Sequence, residues 1–404
     1  MIKSINKIVF LLIALPLSAQ HVAAQTTDKT NLLGQLNTIT TAVPFLMISP
    51  DARAGGMGDQ GVSSTPDANS IHWNPSKLAF IEKKSGIAVS YTPWLKALVN
   101  DIFLGYLAGY TKLEGNQTIG ASLRYFSLGN ITFTNDKGDV LRDFKPNEFS
   151  LDVTYARKLS KNLSGGIALR YIHSNLTGGI DVQGSASKAG NTVAADVSAY
   201  YQKEIELGNK NALFTSGINI SNIGAKIAYT ETGTKNFIPT NLRLGPGIKI
   251  KLNDFNELAF NVDLNKLLVP TPPIYGQDTS SSGTKDLIIF GKDPEVSVAQ
   301  GIFQSFSDAP DGGKEELKEV NYAVGMEYWY DKQFAFRAGY FHESKLKGNR
   351  KYFTLGAGLR YNVFGIDLAY LIPTEQRNPL ENTLHFTLTF DFDAFEDQND
   401  KSTE

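Results

Sequence analysis

The stretch TLHFTLTFDF, residues 383–392, sets Leu384, Phe386, Leu388, Phe390 and Phe392 on one side and His385, Thr387, Thr389 and Asp391 on the other. A period of two marks a β-strand with one apolar face and one wet face. The pattern recurs in FSLDVTYARK (149–158), where Phe149, Leu151, Val153 and Tyr155 oppose Ser150, Asp152 and Thr154. It recurs again in TIGASLRYFSL (118–128), where Ile119, Leu123 and Tyr125 oppose Ser122, Arg124 and Phe126.

Working outward from these, we read about fourteen such segments. They lie near 86–93, 101–112, 117–128, 147–157, 164–174, 192–203, 211–221, 240–252, 256–266, 320–331, 333–342, 352–362, 363–371 and 383–393. Short turns such as LEGN, LSKN, NDFN and DK follow the even ones. Long stretches (129–146, 175–191, 222–239 and 267–319) follow odd ones. A β-sandwich gives the same alternation. Strand lengths near the ~9–11 residues that cross a bilayer at a tilt, and hairpins that let the sheet close without an edge, favour a membrane barrel. Tyrosines at strand ends add to this: Tyr91, Tyr125, Tyr171, Tyr340 and Tyr370 at one rim, Tyr110, Tyr155, Tyr201, Tyr330 and Tyr361 at the other. The fold class expected is all-β: an antiparallel transmembrane β-barrel of about fourteen strands over 85–393, with 267–319 as a long extracellular loop and 394–404 as a polar tail. Inward positions carry Arg124, Asp152, Arg170, Asp196, Arg243, Lys249, Asp263, Glu327, Arg337, Arg360 and Asp367. Mixed signs point to mutual pairing inside the lumen rather than to an ion filter.

Of 404 residues, 24 are Phe, 17 Tyr, 36 Gly and none Cys, and the formal net charge is −2. That balance offers no basic surface for nucleic acid. A mean hydropathy of −0.19 excludes a bundle of membrane helices. Lys3 and Lys7 precede the apolar run 8–15, and Val22-Ala23-Ala24 fits a cleavage site, with Leu17-Ser18-Ala19 a rival. Residues 1–24 therefore read as a secretory signal peptide, and an outer-membrane location follows from signal and barrel together. No cysteine follows the signal, so neither a lipid anchor nor a disulfide framework is expected.

Residues 25–84 do not alternate and read as a leader that sits in the periplasm or plugs the barrel. Within them, Gly56, Gly58 and Gly61 fall on the G-x-G-x-x-G spacing of a dinucleotide fingerprint. The context fails: Pro50 and Asp51 part the glycines from FLMI, and SSTPDANS follows where a helix is required. The periplasm also holds no standing dinucleotide pool. The glycines are better explained by an irregular backbone folding tightly against a wall.

The block ISPDARAGGMGDQGVSSTPDANSIHWNPSKLAF (48–80) resembles the N-terminal signature of the PorV/PorQ family, outer-membrane components of the type IX secretion system. WNPSKLAF is also similar to the N-P-x-x-L-A segment of FadL-like channel barrels. The resemblance implies a plugged fourteen-stranded barrel in contact with outer-membrane lipid. It also implies partners: the type IX translocon, cargo bearing a C-terminal sorting domain, and a cell-surface sortase/attachment complex to which that cargo is delivered. A FadL-like channel for hydrophobic small molecules is the alternative.

Asp51, Arg53, Asp59, Asp67, Trp73 and Asn74 would be a binding site on a functional reading. The structural alternative has the charges pairing with lumen residues and Trp73-Asn74-Pro75 anchoring the plug, so that Asp51, Arg53, Gly56, Gly58, Gly61, Trp73, Asn74 and Pro75 form a plug motif. In the long loop, LVPTPPIYGQDTSSSG predicts an irregular, mobile base. Two apolar clusters follow, Leu287-Ile288-Ile289-Phe290 and Ile302-Phe303 with Phe306. Leaving them in water is unfavourable by about 1.5–3 kcal/mol per large side chain, so they should be covered either by the barrel mouth or by a docked partner. No H-E-x-x-H, G-x-S-x-G or C-x-x-C occurs, and no cofactor, metal or catalytic site is expected. His385 beside Asp391, or beside a serine on a neighbouring strand, is the one constellation of hydrolase type.

Overall fold

The computed structural model describes residues 33–392 except 135–136, 180, 183–184, 232, 279–284 and 376–377. The signal stretch 1–24 and the tail 394–404 lie outside the described residues.

Fourteen antiparallel strands close into a barrel. They are β1 (Ser85–Pro93), β2 (Ile102–Leu113), β3 (Gln117–Leu128), β4 (Asn147–Lys158), β5 (Leu163–Asn175), β6 (Gly190–Leu207), β7 (Lys210–Gly224), β8 (Asn241–Lys251), β9 (Asn256–Leu267), β10 (Asn321–Tyr330), β11 (Phe334–His342), β12 (Lys351–Tyr361), β13 (Phe364–Pro373) and β14 (Leu384–Asp391). Each pairs with its sequence neighbour, and β14 returns to β1 in the register Gly86↔Asp391 to Tyr91↔Phe386. Closure leaves no edge with unpaired backbone groups. Turns at one end are tight: Asp331 and Lys332 both adopt positive φ (53° and 54°), the backbone a two-residue hairpin needs. The other end carries the long connections, three of which hold their own hairpins, 131–134 with 140–144, 181–182 with 185–186 and 274–278 with 285–290.

Alternation sorts the faces as expected. Leu151, Val153, Ile167 and Leu169 point outward and are exposed, whereas Ser150, Asp152, Thr154 and Arg170 are buried. No described helix is long and apolar enough to cross a membrane. The apolar belt of strands is the surface built for lipid. One expectation needs correction. Tyr110 does not belong to a rim: even-numbered β2 residues face inward, and Tyr106 and Tyr110 fill the lumen with Ile71 and Leu78. Inward Thr154 is only 1% exposed, as a filled lumen requires.

The leader fills that lumen. It comes in at the long-loop end, where the Ala42 amide donates to Phe237 O (2.9 Å) and the Asn37 amide to Leu346 O (2.9 Å). Ala42, Val43, Phe45 and Leu46 pack there against Leu104, Phe126, Ile172, Ile227 and Ile238, an apolar cluster that fills that side of the long-loop end. The chain then runs through the barrel by α1 (Ala52–Gly55), α2 (Ser70–Trp73) and a 3-10 turn at Pro75–Phe80, reaching the short-turn end at β1.

Candidate functional site

Each plug-motif residue has a specific seat. Asp51 caps α1: one carboxylate oxygen accepts the Ala54 amide (2.9 Å), the other the Trp73 indole N–H (2.7 Å). Arg53 forks onto Glu327 of β10 (Nε–Oε1 2.9 Å, Nη2–Oε2 2.8 Å) and also donates to Thr65 and Asp67. Asn74 caps the 3-10 turn and donates to Val62 O and Ala199 O, tying two plug segments to β6. Pro75 starts that turn, where its missing N–H is not needed. Asp59 accepts the Tyr352 hydroxyl of β12. The carboxylate of Asp263 on β9 accepts both the Gly61 and Val62 amides (2.7 and 2.9 Å).

The glycines are explained by close approach. A Cβ on Gly61 would sit 2.4 Å from the Trp73 ring, and one on Gly58 (φ +74°) would sit 2.7 Å from the Tyr340 backbone. The wall reciprocates with inward glycines. A Cβ on Gly339 would lie 2.1 Å from Gly58 N, and one on Gly217 2.1 Å from Val62 O. Reading the plug alone misses these wall residues. Their signal is glycine at lumen-facing positions of otherwise ordinary strands.

The lumen charges pair as the mixed signs implied. Arg170 bridges Asp152 and Asp196, and Arg337 bridges Glu327 and Asp367. Arg243 stacks over the Trp73 ring at 4.8 Å, and Arg124 donates to Leu46 O (2.7 Å). Contacts of the plug-motif residues run to the barrel wall and to other parts of the plug. At the short-turn end a polar vestibule of 440 Å³ remains, edged by Arg53, Asp67, Lys249, Glu257 and Arg360.

His385 is buried, donating to or accepting from Thr92 (3.1 Å), with Gly55 packed on its ring. Asp391 lies six residues farther along the same strand, about 20 Å away at ~3.3 Å per residue. Ser90 on the adjacent strand bonds Thr387 instead (2.8 Å). The hydrolase-type constellation is therefore not assembled. No described group of His, Asp or Glu is placed to hold a metal.

The described base of the long loop, 268–273, is irregular, as the sequence implies, but packed. Leu268, Val269 and Thr271 are buried. Glu319 accepts from Lys266 (2.6 Å), Lys347 (3.0 Å) and the Thr271 hydroxyl (2.7 Å), and Lys347 also meets Glu315 (2.5 Å). Burial pushes Asp308 up to about 6. Burial works the same way on Glu315, but hydrogen bonds from Lys347, the Asp311 amide and Asn37, together with the Lys347 charge, outweigh it and hold that carboxyl below its usual range. Beyond the base, α3 (Val298–Gln304) and α4 (Gly313–Lys318) lean over the outer rim of β8 and β9. The apolar clusters are not covered by the barrel. Leu287, Ile289, Phe303 (78%) and Phe306 (50%) are exposed, and Ile288, Phe290 and Ile302 are half-buried. A lid over the mouth is not what these side chains form.

Comparison with known proteins places this geometry. The family described as type IX secretion system protein PorV matches residues 31–274. No curated protein matches the chain. Among solved structures, a TodX mutant described as a monoaromatic hydrocarbon channel is similar at 14% identity (TM-score 0.48; 84% of this chain and 96% of that one covered). The Pseudomonas putida toluene transporter TodX is similar at 12% identity (0.47; 88% and 98%). A Pseudomonas aeruginosa FadL homologue is similar at 12% identity (0.39; 88% and 99%).

Proposed function

Because the chain belongs to the PorV family of type IX secretion system proteins, we propose that it takes cargo bearing a C-terminal sorting domain from the translocon and delivers it to the cell-surface attachment complex. It does so from the outer membrane, long loops outward, as barrels with short periplasmic turns are oriented. The observation that carries this reading is the pairing of a plugged lumen with an open apolar surface. Phe45 and Leu46 are packed inside the long-loop end, whereas Leu287, Ile289, Phe303 and Phe306 stand exposed on the long loop. Exposed apolar groups of this size mark interaction surfaces. A channel for hydrophobic small molecules needs a dry passage through the barrel. The packed plug at one end and the charged vestibule at the other weigh against it.

Replacing 285–306 with a Gly/Ser linker tests the reading. The barrel should stay folded and abundant in the outer membrane, migrating differently on gels before and after boiling. Cargo with sorting domains should accumulate in the periplasm, and partner proteins should be lost from pull-downs of the barrel. Normal secretion with normal partner recovery would defeat it.

A further inference from the structure

The alternation of β9 breaks at one residue. Leu264 and Lys266 both have outward parity, yet Leu264 is exposed and Lys266 is 7% exposed. Lys266 is covered because α4 folds over the outside of the wall and supplies Glu316 (3.0 Å) and Glu319 (2.6 Å). Between that overhang and the wall lies a cleft of 330 Å³. Its floor is Leu242, Leu244 and Leu264, and its roof is Phe306, Leu317 and Val320. The volume is at the lower end of the ~300–1,000 Å³ of small-molecule sites.

The height of the cleft identifies its occupant. Leu264 pairs with Tyr322, whose ring stacks on His342 (4.5 Å) and neighbours Tyr340, an aromatic group on the outward face near the long-loop rim. Such rings mark the level where headgroups meet acyl chains. Below this level the floor continues without a break into the lipid-facing belt: Leu244 pairs with Leu264, half-buried Val262 follows on the same face, and Phe260 beyond it is exposed. The only cation at the cleft is already matched by two carboxylates, so nothing there selects a phosphate. We infer that the cleft seats an acyl chain of an outer-leaflet lipid, fastening the underside of the loop to the membrane while its other apolar face remains free. The inference rests on the membrane placement of the barrel. It does not depend on cargo delivery.

The test uses the full chain in phosphatidylethanolamine vesicles whose acyl chains carry a diazirine, with adducts mapped by peptide mass spectrometry. Adducts are expected on 306–320 as well as on lipid-facing β4. A Cβ on Gly313, which lines the cleft, meets nothing within 4 Å, so Gly313→Trp should fill the space without strain. It should lower labelling of 306–320 severalfold and leave β4 unchanged; Gly313→Leu, with a smaller side chain, should do so in lesser degree. Labelling of β4 alone would overturn the inference while upholding the barrel, and labelling of 306–320 that ignores both variants would overturn it too. In native membranes, p-benzoylphenylalanine in place of Leu317 should capture lipid. Capture of protein only would give the cleft to a partner and overturn the proposal.

Discussion

Removing Arg53 should unseat the first half of the plug while the barrel wall stands. Its guanidinium is the only plug cation that forks onto Glu327, and both side chains are nearly buried (9% and 4% exposed). In Arg53→Met, Glu327 keeps Arg337 (2.8 Å) but its second oxygen loses the Arg53 donor, and Thr65 and Asp67 are released as well. Breaking one side of a buried pair costs about 3–5 kcal/mol, or roughly two to three and a half decades in an opening equilibrium. The natural reporter is hydrogen exchange in nanodiscs at the Gly58, Gly61 and Val62 amides, which bond Thr354 and Asp263 across the plug–wall seam. Those amides should exchange faster by about that factor in Arg53→Met, with β4 and β5 amides unchanged. Glu327→Gln should behave similarly. The double variant should fall short of the sum by about 2 kcal/mol, since contacting pairs couple by ~0.5–3 kcal/mol. An acceleration below tenfold, or strictly additive effects, would refute the clasp.

Trp73→Ala should loosen residues 40–80 to protease by about 3–5 kcal/mol, whereas Trp73→Phe, which keeps the bulk and loses the N–H to Asp51, should cost less. Leu151→Arg on the lipid face should destabilise the barrel by about 2–4 kcal/mol in detergent or bilayer unfolding. In this cysteine-free chain, Leu36→Cys (71% exposed) should be labelled on intact cells by a membrane-impermeant maleimide, and Gly208→Cys in a short turn should not. The loop base should hold best between about pH 3.8 and 4.5 and weaken as pH rises towards 6. Asp308, raised to about 6, contributes stability below 3.8 that is lost as pH rises through 6. Glu315, lowered, contributes stability above 4.5 that is lost as pH falls through its folded value. Amide protection at Thr271 and Ala309, corrected for intrinsic rates, should show that maximum, and a steady rise from pH 5 to 8 would count against it.

Strand content was legible because alternation is a local property: FSLDVTYARK declares its two faces before any neighbour is known. Parity also placed Asp263 and Glu327 inside. It cannot say what covers a face. Lys266 reads as lipid-facing and is buried by Glu316 and Glu319, some fifty residues on. Tyr110 reads as a rim residue by its position near a strand end, whereas its parity points inward, where it is buried. The plug glycines could be separated from a nucleotide loop by their flanks, but their reason lies at Gly339 and Gly217, far along the chain. Pro, Gly and Ser after residue 267 read as an irregular base, and 268–273 are irregular; what composition cannot show is that Leu268 and Val269 are buried there and that Glu319 pairs with Lys266 and Lys347.

The way the plug is bonded bears on where the work of this protein is done. Wall groups on eight strands hold it: Thr387 to the Ala52 amide, Thr354 to Gly58, Asp263 to Gly61 and Val62, Ser198 to Ser76 N, Ser164 to Ser76 O, Asn219 to Trp73 O, Arg124 to Leu46 O, and Glu327 to Arg53. Even if water took every vacated place, each hydrogen bond is worth about 0.5–1.5 kcal/mol, so withdrawal costs on the order of 5 kcal/mol before Arg243 loses its plug contact. The apolar cluster around Phe45 adds to that cost. A transport cycle that empties the lumen would have to recover this at every turn. A barrel that keeps its plug and works through its outer loops would not, and it is on those loops that Leu287, Ile289 and Phe303 stand uncovered.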